Sequence, residues 1–286
     1  MQKALADLKK QVCDIKAPKP ISDEMWQNFA DNTVVALMAG GESSRFREVP
    51  NSQNHNKNAY KLPNGDSMIE MTIRMYRDAG IKNFVALVYH KSETIIDLLG
   101  DGSSMGVNIT YSHDPKKPVG KGGAVLNALL NKSIAEDKNL IVHNPDDVIL
   151  NFNGSFPRHI ASGHLEGIAN GNLATVVVVE ETPYTYSGMK IQNNKVTQIE
   201  MYPMIPLPTH IGVTIFDPKT YSYFKKLFSL TEKTDFEKVL FPVLSNEHKL
   251  YSVSIPNDNW LAVNNLKAYN QLIDMLQGST RRRVEP

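Results

Sequence analysis

A turn rich in glycine and hydroxyl groups is the feature of the sequence best suited to chemistry. The stretch LMAGGESSRF, residues 37–46, continues an apolar run and places two glycines, two serines and an arginine within six positions. Glycine lets the backbone approach a ligand closely, and N–H groups exposed in a tight turn form a concavity for phosphate oxygens. Arg45 adds a planar, permanently charged donor. The turn therefore predicts polyphosphate binding by Gly40, Gly41, Ser43 and Ser44.

The turn differs from two common phosphate-binding motifs. A P-loop needs Gly-Lys-Ser/Thr at fixed spacing, and a dinucleotide-binding loop needs Gly-x-Gly-x-x-Gly. Neither pattern occurs in residues 37–46. A plain strand-to-helix turn would account for the glycines but not for Arg45, so a dedicated anion site is the preferred interpretation.

The elements around this turn predict an α/β fold. Apolar runs of strand length begin at residues 34, 84, 107 and 140, and the amphipathic segments MIEMTIRMYRDAG and KGGAVLNALLNK lie between them. Such alternation is typical of a Rossmann-like, mostly parallel mixed sheet flanked by helices. Ligands bind at the carboxyl ends of the strands of such sheets, which is where the turn lies.

The second half of the chain has a more antiparallel pattern. The segments LATVVVVEE and MKIQNNKVTQIEM predict a smaller antiparallel portion with a hairpin turn at Asn193-Asn194. The segment HIGVTIFDP then predicts a strand that leads into a helix.

Both ends of the chain are set apart from this pattern. Leu5, Leu8, Val12 and Ile15 have helical spacing before the sequence APKP, so residues 1–30 are predicted to be a helical extension that packs on the protein or forms a contact in a homo-oligomer. Residues 31–278 form the predicted main domain. Residues 279–286 are charged and without pattern, and are predicted to be a flexible tail.

Composition excludes several classes of function. The 31 basic and 30 acidic residues give a net charge of +1, so no global field favours nucleic acid or an anionic membrane. The single cysteine, Cys13, excludes an internal disulfide. The N-terminal residues contain no apolar run of the length of a signal peptide or membrane span. The expected location is the cytoplasm.

The order of several motifs resembles that of the sugar nucleotidyltransferases. LMAGGESSRF followed by KNAYKLPNGDSMIEMTI is similar to the family signature Leu-Ala-Gly-Gly-x-Gly-Thr-Arg-Leu and Lys-x-Leu-x-x-Leu-x-x-Gly-x-x-x-Ile-Glu. HNPDDVIL resembles a strand end of the bacterial UTP:glucose-1-phosphate uridylyltransferases. AVNNLKAYNQL resembles a segment of the N-acetylglucosamine-1-phosphate uridylyltransferases. The resemblance covers most of residues 33–275.

The resemblance implies that a sugar 1-phosphate attacks the α-phosphorus of a nucleoside triphosphate and that pyrophosphate leaves. Arg45 and Lys57 would then contact the triphosphate, with Lys61 as the alternative to Lys57. Further nucleotide contacts are implied for Gly120 and Gly122 in GKGGAV. The nucleophile is already an anion, so alignment and charge stabilisation suffice.

The resemblance also implies a Mg²⁺ ion between the two substrates. Asp147 takes the family's aspartate position, and Asp146 is the alternative. The usual second carboxylate is replaced by Ala262. Asn264 matches the asparagine of other relatives, and its amide oxygen is an adequate ligand for Mg²⁺. None of His90, His113 and His143 belongs to a pair with metal-ligand spacing.

The acceptor and base sites depart from the family pattern. Gly188 would lie against the sugar and Glu200 would bind its hydroxyls, but Met201 or Tyr202 replaces the lysine that usually follows. Lys190, predicted to share a strand face with Gly188, is the proposed replacement. Asp114 falls near the glutamine that reads uracil or thymine in relatives. An acceptor-only side chain there would suit guanine.

Two other functions remain open from the sequence. One is a cytidylyltransferase that acts on a non-sugar phosphate, because SSRF also occurs in such enzymes. The other is an inactive nucleotide-sugar-binding or regulatory protein of the same fold, favoured by Ala262 and by the missing lysine. The joint presence of Arg45, Lys57, Asp147 and Asn264 argues against an inactive protein.

Overall fold

The computed structural model describes residues 1–282. The α-helices are α1 (Gln2–Val12), α2 (Asp23–Asp31), α3 (Met68–Asp78), α4 (Ser92–Leu99), α5 (Gly120–Leu130), α6 (Phe156–Ala169), α7 (Tyr221–Leu227), α8 (Phe236–Asn246) and α9 (Leu266–Arg282). The strands are β1 (Thr33–Ala39), β2 (Asn83–Val88), β3 (Asn108–His113), β4 (Asn139–His143), β5 (Asp147–Ile149), β6 (Ala174–Val179), β7 (Thr182–Pro183), β8 (Ser187–Gln192), β9 (Lys195–Met201), β10 (Met204–Ile205), β11 (Thr209–Phe216), β12 (Leu250–Ile255) and β13 (Trp260–Ala262).

A seven-stranded sheet in the order β12-β6-β11-β4-β1-β2-β3 forms the centre of the fold. Strand β11 is antiparallel to both of its neighbours, and the other adjacent pairs are parallel. The predicted mixed, mostly parallel α/β sheet is therefore confirmed. The four strands expected from the apolar runs are β1 to β4.

The sheet is buried on both faces, as the apolar runs predict. Along β1, Val35 and Leu37 join one core cluster, whereas Ala36 joins a second cluster on the other side. Strands that are buried on both faces need apolar residues at every position, which explains the continuous run. A third cluster packs β5 and β13 against α9, with Val148 and Leu272 fully or almost fully buried.

The hairpin predicted at Asn193-Asn194 is confirmed. Strands β8 and β9 pair antiparallel, and both asparagines have positive φ angles, of 48° and 61°. Positive φ at both central residues is the requirement of the two-residue hairpin turns whose twist matches the strands. The pair forms a sheet of its own, separate from the central sheet.

The two ends of the chain differ in their packing. Helix α1 ends at Val12 and buries none of its residues, so Ile15 lies beyond it. Helix α2 packs Trp26 and Phe29 into the main core. Helix α9 continues to Arg282, which is four residues into the predicted tail 279–286, and residues 283–286 lie outside the described residues. Within residues 1–282, no helix has both the length and the apolarity to span a bilayer.

Candidate active site

The glycine-rich turn leaves the carboxyl end of β1 and is fixed there by a buried amide. The side chain of Asn56 donates hydrogen bonds to the carbonyl of Ala39, at 2.8 Å, and to that of His90, at 2.9 Å. These two carbonyls lie at the end of β1 and just after β2. After the turn, Ser43 has a φ of 52° and begins a short 3₁₀ helix, Ser44–Glu48. The amide therefore holds two strand ends and the turn as one unit.

A cavity of about 350 Å³ opens beside this turn. The turn contributes Gly40, Gly41, Ser43, Ser44 and Arg45 to the wall. Lys57, Asp114, Gly120 and Asn264 reach the same cavity from elsewhere in the chain. Nine of the residues predicted from the sequence thus lie around one space at the carboxyl ends of the parallel strands.

Lys57 is the centre of the polar end of this cavity. Its ammonium donates to Oδ2 of Asp146 at 2.5 Å and to Oδ1 of Asn264 at 3.1 Å. Lys57 is only 8% exposed. A buried ammonium is stable only when it is paired in this way, so the three side chains form one charged unit facing the cavity.

Two antiparallel strands bring the oxygen ligands of this unit together. Ala262 of β13 pairs with Asp147 of β5, and the N–H of Val263 donates to the carbonyl of Asp146 at 2.7 Å. Residues 146 and 264 are therefore neighbours in space although 118 positions separate them in the chain. Ala262, where relatives carry a carboxylate, lies within the ladder.

Lys61, the alternative to Lys57, lies outside the cavity lining. Its ammonium pairs with Glu70 at 2.7 Å, and its side chain is 47% exposed. Glu70 also completes a capping box with Ser67 at the start of α3. Lys61 is thus held at a helix N-terminus, and Lys57 is the lysine that faces the predicted triphosphate site.

Of the two adjacent aspartates, Asp146 faces the cavity and Asp147 does not. The carboxylate of Asp147 accepts hydrogen bonds from the indole of Trp260 and from the side chain of Asn144, each at 3.0 Å. Its side chain is enclosed between strands because successive side chains of an extended chain point to opposite sides. The geometry therefore contradicts a cavity-facing role for Asp147 and favours its alternative, Asp146, whereas metal binding itself stays a prediction.

The surroundings of Asp147 disfavour its charged form. Burial, and then the neighbouring charge of Asp146, raise the pKa of Asp147 well above its usual range. On the other side of the backbone, Nε2 of His143 lies 3.0 Å from the carbonyl of Asp147, and Nδ1 lies 2.9 Å from the hydroxyl of Tyr76. A carbonyl only accepts, so Nε2 carries the proton and Tyr76 donates to Nδ1. Asp147 and His143 therefore stabilise the backbone at the carboxyl end of β4, and neither side chain lines the cavity.

Two buried histidines, His143 and His164, and the half-buried His210 are neutral in the folded protein. Burial lowers the pKa of His143 and of His210 to about 4 each, and that of His164 to about 3. Their role is in packing. Among residues 1–282, no group of three or more His, Cys, Asp or Glu side chains is arranged to hold a metal ion on its own.

Two glycines of the GKGGAV segment have different roles. Gly120 has a φ of 75° and lines the cavity, and a Cβ atom there would lie 2.6 Å from the backbone of Thr234. Gly122 is instead buried against the ring of Phe228, with its N–H bonded to the carbonyl of Thr234 at 3.0 Å. The prediction that Gly122 contacts the nucleotide is corrected, because helix packing fills the space beside it.

The predicted acceptor residues lie on one face of the β8–β9 hairpin. Gly188 is opposite Glu200, and Lys190 is opposite Gln198, so the predicted shared face is confirmed. These residues do not line the 350 Å³ cavity. Oε2 of Glu200 is buried and has no hydrogen-bond partner among residues 1–282, and an unpaired buried oxygen is a candidate site for a ligand donor.

Sequence reasoning missed several residues at the site. Gly212, with a φ of 74°, lies where any Cβ would overlap the side chains of Asn144 and Asp147. The irregularity of β11 between His210 and Thr214 occurs at this position, and a glycine inside a strand pattern is the signal that could have indicated it. Lys233 and Asp235 also line the cavity, but their exposed loop gives no such signal.

A family model described as nucleotidyl transferase matches residues 34–278. The chain belongs to the nucleotidyl transferase family. In this nucleotidyltransferase, the glycine-rich turn, Lys57 and Asn264, which all lie within the matched residues, line one cavity. A search of the curated proteins finds no match for the chain.

Solved structures support the fold of this nucleotidyltransferase. One is a protein of Bacillus anthracis assigned as a glucose-1-phosphate thymidylyltransferase, in complex with sucrose. It is similar to this chain with a TM-score of 0.63 and 19% sequence identity, over 85% of this chain and 94% of that one. At this identity, the likeness concerns the fold.

Proposed function

We propose that this nucleotidyltransferase is a Mg²⁺-dependent sugar-1-phosphate nucleotidylyltransferase. The observation that carries the proposal is the convergence of Lys57, Asp146 and Asn264 beside a glycine-rich turn that ends in Arg45. Cations, exposed backbone N–H groups and hard oxygen ligands in one cavity are the components needed to hold and polarise a triphosphate.

The proposed reaction is a single phosphoryl substitution. A phosphate oxygen of the sugar 1-phosphate forms a bond to the α-phosphorus of the nucleoside triphosphate, while the bond from that phosphorus to the α,β-bridging oxygen breaks and pyrophosphate leaves. The attacking oxygen is already ionised, so no side chain has to remove a proton. Arg45 and Lys57 stabilise the negative charge that develops on the leaving pyrophosphate.

The donor set around Lys57 fits a magnesium ion. Asp146 and Asn264 direct one carboxylate and one amide oxygen at the same ammonium, which shows that two hard oxygens converge on a point where positive charge is favourable. Mg²⁺ takes few protein oxygens and completes its shell with water and phosphate. Held by these two oxygens in exchange for the ammonium of Lys57, which would then be free for the phosphates, the ion would neutralise charge on the phosphate oxygens of the substrates.

The hairpin supplies the proposed acceptor contacts. The unpaired, buried Oε2 of Glu200 is suited to a hydroxyl donor of a sugar. Lys190, on the same face, would pair with the acceptor phosphate in place of the lysine that relatives carry. The glucose 1-phosphate in the name of the Bacillus anthracis protein supports a sugar acceptor here.

Guanine is the proposed base. Oδ2 of Asp114 accepts a hydrogen bond from the N–H of Val119 at 3.1 Å, and Asp114 lines the cavity together with the apolar side chains of Leu87 and Ala124. A carboxylate only accepts. Guanine is the standard base whose pairing edge presents two adjacent donors, whereas uracil, thymine, cytosine and adenine each bring a lone pair next to their donor.

Strand spacing supports this placement of the base. Asp114 follows β3, and Asp146 follows β4, which is three strands away across β2 and β1. Neighbouring strands are about 4.8 Å apart, so the ends of the two strands that these aspartates follow lie about 14 Å apart along the sheet edge. That separation suits a nucleotide that spans from its base to its phosphates.

The test is a pyrophosphate-release screen of four nucleoside triphosphates against sugar 1-phosphates and alditol phosphates, with Mg²⁺. We expect release with GTP and a sugar 1-phosphate, and loss of release in Lys57→Ala but not in the matched control Lys61→Ala. Release only with CTP and an alditol phosphate would support the cytidylyltransferase alternative. Nucleotide binding without release under any combination would support an inactive binding protein and contradict the proposal.

A further inference from the structure

The start of helix α1 lies against one side of the β8–β9 hairpin. This side, named here the acceptor face, carries Gly188, Lys190, Gln198 and Glu200. A Cβ atom at Gly188 would lie 3.2 Å from Sδ of Met1, the residue before α1, and 2.8 Å from Cγ of Pro203. The side-chain oxygen of Gln198 accepts a hydrogen bond from the backbone nitrogen of Met1 at 2.5 Å. The chain at the start of α1 therefore occupies part of the face that is proposed to bind the sugar phosphate.

Few contacts hold α1 in this position. Towards its other end, the ammonium of Lys9 lies 2.9 Å from a carboxylate oxygen of Glu180 and 3.9 Å from one of Glu181, and these side chains are 32–41% exposed. Exposed ion pairs of this kind contribute little to stability. Leu8 and Val12 remain 36% and 40% exposed, and no residue of α1 is buried. The helix is therefore docked loosely.

The segment that joins α1 to α2 allows α1 to move. Residues 13–22 contain no helix or strand. A firm anchor follows at the end of this segment, where Arg158 donates to the carbonyl of Ile21 at 2.8 Å and pairs with Asp23 at 2.7 Å. A cavity of about 420 Å³ lies between Ile15 and Ala17 of the segment and the ends of β6 and β12. The extension is thus tethered to the main domain without being tightly packed on it.

We propose that α1 is a displaceable cover of the acceptor face, and that a sugar 1-phosphate binds only after α1 has moved away. This inference rests on the proposed function, because it takes the acceptor face to be the sugar-phosphate site. An isolated helix of 11 residues is marginally stable in water, and loosely packed elements open locally at low free-energy cost. The docked and released states of α1 are therefore close in free energy.

The two states differ in how they satisfy Glu200. With α1 docked, Oε2 of Glu200 is buried and has no hydrogen-bond partner among residues 1–282. A sugar hydroxyl donates to such an oxygen, so the acceptor favours the released state through a contact that docked α1 does not make. The apparent affinity for the sugar phosphate is then the intrinsic affinity multiplied by the fraction of molecules in which α1 is released. Nucleotide binding is unaffected, because none of residues 2–12, all of which the structure describes, lines the 350 Å³ cavity.

The first test compares Lys9→Glu with the matched control Lys10→Glu in the full chain. Both variants change the net charge equally, but Lys9→Glu places a carboxylate against Glu180 and Glu181. Pyrophosphate release is measured with GTP and the sugar 1-phosphates of the screen. We expect Lys9→Glu to lower KM for the sugar phosphate about 5-fold while KM for GTP is unchanged. Lys10→Glu should match the wild type in both constants.

The second test observes α1 directly, by hydrogen exchange of the backbone amides of residues 2–12 in the wild-type protein. α,β-Methylene GTP prevents turnover, because a carbon replaces the bridging oxygen that must leave. Addition of the sugar 1-phosphate that gives release should speed exchange in α1 about 5-fold or more over the rate with the analogue alone. A helix with a merely structural role would keep its exchange rate or become more protected.

The outcomes separate this inference from the proposed function. Equal KM values for the sugar phosphate in Lys9→Glu and Lys10→Glu, or unchanged exchange of α1 with the sugar phosphate bound, would overturn the cover and leave the proposed function standing. Release of pyrophosphate by none of the three proteins would contradict the proposed function, and the cover with it, because there would be no acceptor to exclude.

Discussion

Replacing Asp146 and Asp147 one at a time by asparagine separates a ligand-binding carboxylate from a structural one. Asp146→Asn removes the negative charge that faces Lys57 and the proposed Mg²⁺. Asp147→Asn removes a buried charge but keeps an oxygen for the indole N–H of Trp260, and the amide of Asn144 can rotate to accept from the new amide. We expect the first variant to lose activity and the second to remain active.

The expected magnitudes follow from the two environments. Loss of one group directed at the transferring phosphoryl charge costs about 10²- to 10³-fold in kcat, or about 3–4 kcal/mol. For Asp147, burial raises the pKa from 3.8 to about 7. The folded protein therefore binds a proton that the unfolded chain does not, and stability falls as the pH rises from about 4 to 7. At 1.36 kcal/mol per pKa unit, the charged carboxylate costs at most about 4 kcal/mol above pH 7.

The assay has two parts. Pyrophosphate release is measured for both variants over a range of Mg²⁺ concentrations, and urea unfolding is measured at pH 4 and pH 8. Asp147→Asn should be more stable than the wild type at pH 8 and close to it at pH 4, with kcat within a few-fold of the wild-type value. A loss of about 10²-fold in kcat by Asp147→Asn, with activity retained by Asp146→Asn, would refute the assignment to Asp146, because the metal would then depend on the enclosed carboxylate.

The other predictions concern four separate features. Lys57→Ala should lower kcat by roughly 10²-fold, and normal activity of this variant together with a crippled Lys61→Ala would reverse the assignment of the triphosphate lysine. Gly122→Ala should destabilise the protein by about 1–3 kcal/mol in urea unfolding, because its Cβ would overlap Phe228; unchanged stability would contradict this packing. In the Asp147→Asn background, His143, His164 and His210 should cause a loss of stability as the pH falls from about 6.5 to 4, because the unfolded chain binds a proton at each histidine while the folded protein keeps it neutral. The cost is about 2 kcal/mol each at pH 5, and an unfolding free energy that is constant over this range would contradict the neutral state of the three side chains. Lys190→Ala should raise KM for the sugar phosphate much more than KM for the nucleotide, and equal small changes would remove Lys190 from the acceptor site.

The linear sequence was sufficient for features set by local chemistry. The apolar runs indicated β1 to β4 because a parallel strand buried on both faces must be apolar throughout. The turn at Asn193-Asn194 indicated the hairpin because asparagine tolerates the positive φ that the turn requires. The glycine-rich turn with Arg45 also indicated an anion site from local chemistry. Glycine lets the backbone N–H groups approach phosphate oxygens, and arginine is always charged, whatever the surrounding fold.

Tertiary structure alone decided which member of each similar pair faces the ligand space. Asp146 and Asp147 are adjacent in the sequence, but the pairing of β5 with β13 sends one side chain to the cavity and the other to Trp260. Gly120 and Gly122 are equally small, and the ring of Phe228, about a hundred residues away in the chain, fills the space beside only the second. The physical reason is common to both pairs: the direction of a side chain depends on partners that are distant in sequence, and residue type carries no information about those partners.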